Sequence, residues 1–390
     1  MTERLTVFTA VLPSYRYISE FSLCLKMFKK ALPDNSSLIT TEESDPHSLR
    51  DIITTHLDVI SPYVLIMKEP ALLIKEGTIE PMVQILKKDR SISCVLPSDM
   101  RGFRQGRNAI YYTLRGFERF IDSLYDPEDL FISYDGRDPW MFLIRGNILR
   151  EMEIPEDPLS IPRVLPAKST CISLNAYIHP FIDYFEQTRS DVLDLIPGNI
   201  SSLLDVGCAR GRFGIHAKNK FSCKVVGVEI NPYEAAKARE HFDYVYCGDM
   251  LTTEINERFD CITCLDVLEH LHDPEAFLQK MHSLLHDDGY IVLSVPNVGH
   301  WSVVEDLLAG RWDYIPPGIL CVAHLRFFTK TTIQNLLKDT GFRIISIKEQ
   351  KNPILDSMLD NFNLLKQAGM EIDEQSLACF CYYIVAKKII

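Results

Sequence analysis

The segment LLDVGCARGRFG, residues 203–214, decides the fold of the carboxy-terminal part of this chain. Its first four residues are typical of a buried strand, and a turn of small residues follows before a helical pattern begins. Small residues let the backbone approach a ligand closely, and the start of a helix offers free N–H donors. The segment therefore predicts a strand, a ligand-binding turn and a helix, although phosphate and dinucleotide sites use similar turns.

Strand and helix patterns alternate beyond this segment. Short β-branched or aromatic runs predict further strands at 224–229, 244–247, 259–265 and 290–295, and RIISI and FCYYIVA add two more. Apolar residues at helical spacing lie between them, as in 274–285. This alternation predicts an α/β fold, namely a Rossmann-like, seven-stranded, mainly parallel sheet with helices on both faces.

A proline-rich stretch suggests where the chain divides. IPEDPLSIPRVLP holds four prolines in thirteen positions, a composition that resists helix and sheet alike. We therefore expect an amino-terminal domain at 1–155, a linker at 156–174 and a second domain at 175–390, opening with a helix through NAYIHPFIDYFEQTRSDVLDLIP. The first 150 residues alternate too and predict a separate α/β domain.

Composition limits the partners and the compartment. The net charge of −12 argues against nucleic acid, because phosphate binding needs clustered Lys and Arg. The first residues lack the pattern of a signal peptide, and no window approaches the ~18 apolar residues of a membrane span. The 11 cysteines, mostly in apolar runs, indicate reduced thiols. We expect a cytoplasmic protein without a membrane span, and a homo-oligomer stays open.

Two acidic residues at strand ends sharpen the ligand prediction. Glu229 ends the second strand and is placed to accept both hydroxyls of a ribose. Gly248-Asp249-Met250 follows the third strand, with an acid and an apolar side chain suited to an adenine. Together with the turn at 207–211, these residues describe an adenosine site without a phosphate requirement.

Six separated motifs carry a family resemblance. LLDVGCARGRFG, VVGVEINP, GDM, FDCITCLDVLEHLHDP, DDGYIVLSVPNVGHWSV and HLRFFTKTTIQNLLKDTGF resemble, in order and spacing, the class I S-adenosylmethionine-dependent methyltransferases. Within that class they look similar to bacterial modules often fused to glycosyltransferase domains. The resemblance covers about residues 175–390 and implies S-adenosyl-L-methionine as the cofactor.

The resemblance also implies roles for individual residues. The loop would enclose the methionine part of the cofactor, Glu229 would bind the ribose, Asp249 and Met250 the adenine, and Asp266 would face the amino acid moiety. The implied cofactor-binding set is Asp205, Gly207, Cys208, Ala209, Gly211, Glu229, Ile230, Asp249, Met250 and Asp266. Ala209 stands where the family has its middle glycine, and Cys321-Val322-Ala323 stands where a more polar run is expected.

An alcohol acceptor needs a base that removes its proton, and histidine suits that role near neutral pH. Three histidines lie where the loops at the end of the sheet are expected to converge: His270, His324 and His300. Each is equally open to a structural interpretation. No cluster along the sequence has metal-ligand spacing, so no metal is predicted.

The amino-terminal half faintly resembles family 2 glycosyltransferases, in TVFTAVLPSYRYISEFSLCLKMFKKAL and in PWMFLIRGNILREM. It departs from them at Lys68-Glu69-Pro70, where such enzymes carry an acidic metal-binding triplet. A degenerate domain of that kind and an unrelated α/β accessory domain both stay open. The leading hypothesis is O-methylation of a sugar or glycan hydroxyl. The alternatives are O-methylation of a phenolic or other small metabolite, and a non-catalytic scaffold that binds the cofactor.

Overall fold

The computed structural model describes residues 4–11, 19–34, 36–42, 46–99, 111–124, 131–166, 168–181, 188–198 and 200–390. Contacts between residues divide the chain into two units, Met1–Ile182 and Asp183–Ile390. Within the described ranges, no helix combines the length and the apolar character that crossing a membrane requires.

The first unit is built on a mixed sheet. Its strands lie in the order β2-β1-β3-β7-β5-β8-β4, and β6 pairs with β8. The strands are β1 (Leu5–Ala10), β2 (Ser37–Thr41), β3 (Tyr63–Met67), β4 (Leu72–Ile74), β5 (Cys94–Ser98), β6 (Phe131–Ser133), β7 (Met141–Arg145) and β8 (Thr170–Pro180). The helices are α1 (Ser19–Ala31), α2 (Pro46–His56), α3 (Glu80–Lys88), α4 (Leu114–Leu124), α5 (Gly146–Glu151) and α6 (Ile161–Val164).

The division of the chain lies further along than the expected linker at 156–174. The proline-rich stretch forms a 3₁₀ turn (Pro158–Ser160) and α6, and the chain then returns to the first sheet as β8. β8 pairs with β5, β4 and β6, so backbone hydrogen bonds keep residues 170–180 in the first unit. The helix expected from 175 is therefore wrong up to 180. Residues 182–187 of that segment lie outside the described residues, and a helical turn, α7, begins at Ser190.

The second unit contains a sheet with the strand order β11-β10-β9-β12-β13-β15-β14. The strands are β9 (Ser202–Val206), β10 (Lys224–Glu229), β11 (Tyr244–Cys247), β12 (Phe259–Leu265), β13 (Leu285–Pro296), β14 (Phe342–Lys351) and β15 (Cys379–Lys388). The helices are α7 (Ser190–Leu193), α8 (Arg212–Phe221), α9 (Pro232–Ala238), α10 (Pro274–Leu284), α11 (Trp301–Leu308), α12 (Lys330–Asp339), α13 (Asp356–Gln367) and α14 (Glu374–Ala378).

The α/β class is confirmed, and both sheets are mixed. In the second sheet the ladders among β9 to β13 are parallel, whereas β15 runs antiparallel to both β13 and β14. The chain moves from β9 outward through β10 and β11, then crosses to β12 on the other side. Ligands of such sheets bind beyond the carboxyl ends of the strands where this order reverses.

Alternation of side chains along the central strands forms a core on each face. Leu204 and Ile262 belong to one buried cluster, and their neighbours Leu203 and Cys261 belong to another. Consecutive strand residues point to opposite faces, so an unbroken apolar strand is buried on both sides. Cys261 and Cys264 form a C-x-x-C motif on β12. Cys264 lies in the first cluster and Cys261 in the second, so the two thiols are on opposite faces and cannot share a metal ion.

Candidate functional site

The turn between β9 and α8 contains residues with left-handed backbone. The N–H groups of Gly207 and Cys208 both donate to the carbonyl of Val228, at 2.8 and 3.2 Å. Gly207 has a φ of 73°, and a Cβ there would lie 2.9 Å from a methyl group of Val267. Gly211 has a φ of 84°, and a Cβ there would lie 2.7 Å from the ring of Phe242. Both glycines are therefore required by conformation and by space.

Ala209, in place of the family's middle glycine, also has left-handed backbone, with a φ of 45°. Non-glycine residues adopt this conformation at a cost of roughly 1–2 kcal/mol. The turn keeps its shape despite that cost because the N–H of Ala209 donates to the Glu229 carboxylate.

Glu229, at the carboxyl end of β10, ties the turn to the neighbouring strand. One carboxylate oxygen accepts from the N–H of Ala209 and the other from the N–H of Asn231, both at 2.8 Å. The side chain is almost fully buried, and burial raises its pKa while these two N–H donors oppose the rise. Each carboxylate oxygen can accept a second hydrogen bond, so Glu229 both orders the turn and retains acceptor capacity for hydroxyl groups.

Asp205 presents a buried acceptor below the turn. Its Oδ1 accepts from the Thr263 hydroxyl at 2.7 Å, while its Oδ2 is buried and no described residue forms a hydrogen bond with it. Burial raises the pKa of Asp205 to about 7, the Thr263 hydrogen bond opposes the rise, and the charge of Glu229 adds to it. An unpaired buried acceptor of this kind fits a ligand that brings a donor or a positive charge.

The remaining adenosine candidates lie at the ends of the next strands. Asp249 is exposed, and its Oδ1 accepts from the N–H of Leu251 at 2.7 Å, while Met250 beside it is buried. Ile230 follows Glu229 and is 64% exposed. The structure thus brings the turn, Glu229, Asp249 and Asp266 to the edge of the sheet where its parallel strands end. Their roles in cofactor binding stay predictions.

Asp266 is held by two residues that the sequence reasoning missed. Arg189 Nη1 lies 2.5 Å from Asp266 Oδ2, and the Ser294 hydroxyl donates to Asp266 Oδ1 at 2.6 Å. The Arg189 guanidinium also lies over the ring of Tyr383, 5.4 Å from its centroid. No motif singled out Arg189, because its partner lies 77 positions away in the sequence. Ser294 could have been found as the polar residue opposite the end of β12.

Two of the three candidate histidines lie side by side. The rings of His270 and His324 have centroids 4.9 Å apart and planes at 83°. Residues Leu268–His270 form a 3₁₀ turn after β12, and the carbonyl of Glu269 accepts from the N–H groups of Leu325 and Arg326 at 2.7 and 3.0 Å. These backbone bonds hold the segment after Cys321 against the end of β12, which is what brings the two histidines together.

Glu269 is buried close to these histidines, with one potential ligand atom of each of the three residues within 4.8 Å of the others. Among the described residues neither of its carboxylate oxygens has a hydrogen-bond partner, and burial raises its pKa well above the usual range, with the charge of Asp266 adding to the rise. His324 is buried as well, and its Nδ1 lies 2.9 Å from the carbonyl oxygen of Ile319. Burial lowers the pKa of His324 to about 4, and His270 contributes to this shift.

The third candidate, His300, forms the N-terminal cap of a helix. It is fully buried and caps α11, because its Nδ1 accepts from the N–H of Ser302 at 3.4 Å and contacts the Ser302 hydroxyl at 2.9 Å. Burial lowers its pKa to about 3. These contacts give His300 a structural task, while its part in catalysis stays a prediction.

Among the described residues, one group of side chains has donor atoms close enough to hold a metal ion. One atom each of Glu269, His270 and His324 lies within 4.8 Å of the others. Spacing along the chain predicted no metal, because His324 is 54 positions beyond His270. The fold supplies the third donor.

The fold and the site together define a class of protein. Residues 175–347 match the family model described as a methyltransferase domain. The strand order of the second sheet and the glycine turn after β9 agree with a class I S-adenosylmethionine-dependent methyltransferase domain in the second unit. The cofactor of this class is S-adenosyl-L-methionine.

Curated relatives share this domain at low identity. A sphingolipid C9-methyltransferase of Komagataella phaffii is 27% identical over 165 residues, which are 37% of this chain and 33% of the relative. A ubiquinone biosynthesis O-methyltransferase of a Shewanella species is 25% identical over 194 residues, which are 47% of this chain and 81% of the relative. The chain thus spans a third of the first relative's length and four fifths of the second's.

A solved structure is similar over the same half. It is the N-methyltransferase NodS from Bradyrhizobium japonicum in complex with S-adenosyl-L-homocysteine, 17% identical, with a TM-score of 0.36 over 53% of this chain and 89% of that chain.

Proposed function

We propose that the protein is an O-methyltransferase that transfers the methyl group of S-adenosylmethionine to a hydroxyl of a sugar or glycan. One observation carries the proposal: the glycine turn, Glu229 and the pair His270–His324 all lie at the same edge of the second sheet. The glycine turn and Glu229 suit a cofactor, and the two histidines suit an acceptor that must lose a proton.

The residues of the turn fit the cofactor. Gly207 and Gly211 leave room where a Cβ would meet Val267 or Phe242. Asp205 and Asp266 offer negative charge to an amino group, and Glu229 offers oxygens to the ribose hydroxyls. Asp249 and Met250 lie one strand further and would hold the adenine.

When bound, S-adenosylmethionine supplies an electrophilic methyl group: the acceptor oxygen forms the new O–C bond, the C–S bond breaks with its electron pair staying on sulfur, and the acceptor proton leaves. The protein's task is to align the acceptor and to take up that proton. His324 suits the second task because its Nδ1, when it donates to the Ile319 carbonyl, leaves a lone pair on Nε2. His270, with its ring 4.9 Å away, is the alternative base.

The sugar part of the proposal is supported by the first unit's resemblance to family 2 glycosyltransferases. Its β1, α1, β7 and α5 cover the segments that carry the resemblance. After β3, where an acidic triplet is expected, Lys68 lies over the ring of Trp140 at 5.1 Å and Trp140 Nε1 donates to the Glu69 carbonyl at 3.0 Å. The sequence Lys68-Glu69-Pro70 carries a single carboxylate, so it offers no carboxylate pair to a metal. We assign the first unit to recognition of the acceptor.

A second candidate acceptor is a phenolic or other small metabolite. The specific observation in its favour is the similarity to ubiquinone biosynthesis O-methyltransferases, of which this chain covers 81% in one case. A third interpretation, a scaffold that binds the cofactor without turnover, predicts affinity for the cofactor and no methylated product.

The test combines cofactor binding with an acceptor screen. Calorimetric titration with S-adenosylhomocysteine is expected to give one site per chain. Incubation with isotopically labelled S-adenosylmethionine and two panels, free glycans with nucleotide sugars and phenols with catechols, is then followed by mass spectrometry. Label in the first panel supports the proposal, and label in the second panel alone overturns its sugar part. Binding without product in either panel favours the scaffold, and no binding by folded protein overturns the proposal entirely.

His324→Gln tests whether His324 acts as the base without contributing to cofactor binding. Loss of a general base is expected to slow turnover by about 10²–10⁴-fold, with affinity for S-adenosylhomocysteine unchanged. His216→Gln is the matched control, because His216 is exposed on α8 and belongs to no proposed site.

A further inference from the structure

The strongest unassigned feature of the second unit is the cluster of Glu269, His270 and His324. It combines a carboxylate and two imidazoles, and one potential ligand atom of each lies within 4.8 Å of the others. The three residues come from two segments that are joined by backbone hydrogen bonds from Leu325 and Arg326 to the Glu269 carbonyl.

The cluster is rich in acceptors and poor in donors. Within the part of the chain that the structure describes, both carboxylate oxygens of Glu269 are buried without a hydrogen-bond partner. His324 uses Nδ1 toward the Ile319 carbonyl, at 2.9 Å, so in that tautomer its Nε2 carries a lone pair rather than a proton. A buried carboxylate beside imidazole lone pairs is costly unless a positive charge compensates it. Arg189, a cation close to the cluster, forms an ion pair with Asp266.

A second observation points to a ligand of defined chemistry. Histidines that bind metals typically donate their other ring N–H to a carbonyl or carboxylate, which fixes the tautomer and the ring orientation. The contact of His324 with the Ile319 carbonyl is of this kind. The backbone bonds from 325 and 326 in turn fix Glu269, so two of the three donors are held by outer contacts.

We propose that Glu269, His270 and His324 bind a divalent transition-metal ion of the zinc type. Two imidazoles and one carboxylate are a recurrent catalytic zinc set, and three protein ligands leave an open coordination position. Magnesium is disfavoured, because it prefers oxygen ligands and retains its waters.

Binding of the ion does not depend on the proposed function, but its role does. With the ion bound, both imidazoles would be ligands, so neither would act as the base assigned to them under the proposed function. An acceptor hydroxyl at the open position would become more acidic and would give its proton to solvent water.

The experiment measures binding of Co²⁺ and Zn²⁺ to the full chain after treatment with a chelator. Visible absorption of Co²⁺ is expected to saturate at one equivalent and to be abolished by Zn²⁺, while excess Mg²⁺ leaves it unchanged. Glu269→Gln and His324→Gln are each expected to weaken binding by more than the roughly 10–100-fold that loss of an outer contact costs.

Two controls address other sites for the ion. His216→Gln removes an exposed imidazole elsewhere, and Cys247→Ser removes the exposed thiol, the remaining cysteines being buried. Both are expected to bind Co²⁺ as wild type does, without a sulfur-to-metal absorption band in any sample.

The proposal is overturned if the stripped wild type takes up neither ion, if Glu269→Gln binds as wild type, or if Mg²⁺ displaces Co²⁺ at comparable concentration. Should both variants fail to fold, X-ray absorption of the Co²⁺-loaded wild type decides: imidazole scattering supports the site, and its absence refutes it. Calorimetry with S-adenosylhomocysteine is run on the same samples. Intact cofactor binding with no metal site contradicts this inference alone, whereas metal binding without cofactor binding contradicts the proposed function alone.

Discussion

Replacing Glu229 by glutamine gives the sharpest test of how the cofactor edge is built. Both carboxylate oxygens accept from backbone N–H groups, those of Ala209 and Asn231, at 2.8 Å. A glutamine has a single acceptor oxygen, so in either orientation its NH₂ group faces one of these N–H donors. One buried donor is then left unsatisfied, which costs about 1–3 kcal/mol.

This cost is expected in the free protein, and it is an upper bound, because burial raises the pKa of Glu229 and a neutral glutamine removes the cost of burying its charge. For a unit of about 200 residues, each kcal/mol lowers the melting temperature by roughly 2–4 °C, so Glu229→Gln is expected to melt roughly 2–12 °C below wild type. Differential scanning calorimetry measures this directly. Glu240→Gln is the matched control, because it removes the same charge from an exposed position.

The same substitution is expected to weaken cofactor binding. Hydrogen bonds to a charged acceptor contribute about 1.5–3 kcal/mol, against about 0.5–1.5 for a neutral one. The difference of about 1.4 kcal/mol corresponds to a roughly tenfold higher Kd for S-adenosylhomocysteine. If Glu229→Gln melts with the control and binds within a factor of about two of wild type, Glu229 neither orders the turn nor contacts the cofactor.

Three further substitutions test other parts of the site. In Asp205, burial raises the folded-state pKa to about 7, above its unfolded value of about 3.9, so its contribution to stability is present below about pH 4 and is lost as the pH rises toward 7. The free energy of unfolding of Asp205→Asn should therefore rise relative to that of wild type by up to a few kcal/mol between pH 5 and pH 8, at about 1.4 kcal/mol per pKa unit. If urea titrations show the same difference between variant and wild type at every pH, the raised pKa of Asp205 is contradicted. Ala209→Gly removes the strain of a non-glycine residue at a φ of 45°. It is expected to raise the free energy of unfolding by roughly 0–1 kcal/mol, since the greater chain entropy of glycine in the unfolded state offsets part of the gain. A decrease of more than about 1 kcal/mol in urea titrations would refute this. Arg189→Gln removes the ion pair with Asp266 and is expected to lower the free energy of unfolding by about 1 kcal/mol, a small value because the Asp266 carboxylate is 41% exposed and solvent screens the pair. If Arg189→Lys restores the melting temperature, Asp266 needs a positive charge rather than the guanidinium fork.

The sequence by itself determined the features that depend on neighbouring residues. Strands β9 to β13 were predicted at or near their observed positions because apolar and β-branched runs bury both faces of a sheet. The turn at Gly207–Gly211 was predicted because small residues between a strand and a helix let the backbone approach a ligand closely, and the structure adds that its glycines have left-handed backbone. Glu229 and Asp249 were expected at the same edge because parallel strands end together.

Only the tertiary structure decided the features that depend on distant pairing. The proline-rich stretch indicated a boundary, yet the strand at 170–180 returns to the first sheet because β4, β5 and β6 supply its hydrogen bonds. Arg189 meets Asp266 across 77 positions, and His324 reaches Glu269 and His270 through backbone bonds that no local pattern encodes. A spacing rule finds ligands on one helix or turn. It cannot find a donor set that is assembled by two loops, because the distance between those loops is fixed only when the sheet and its connections have packed.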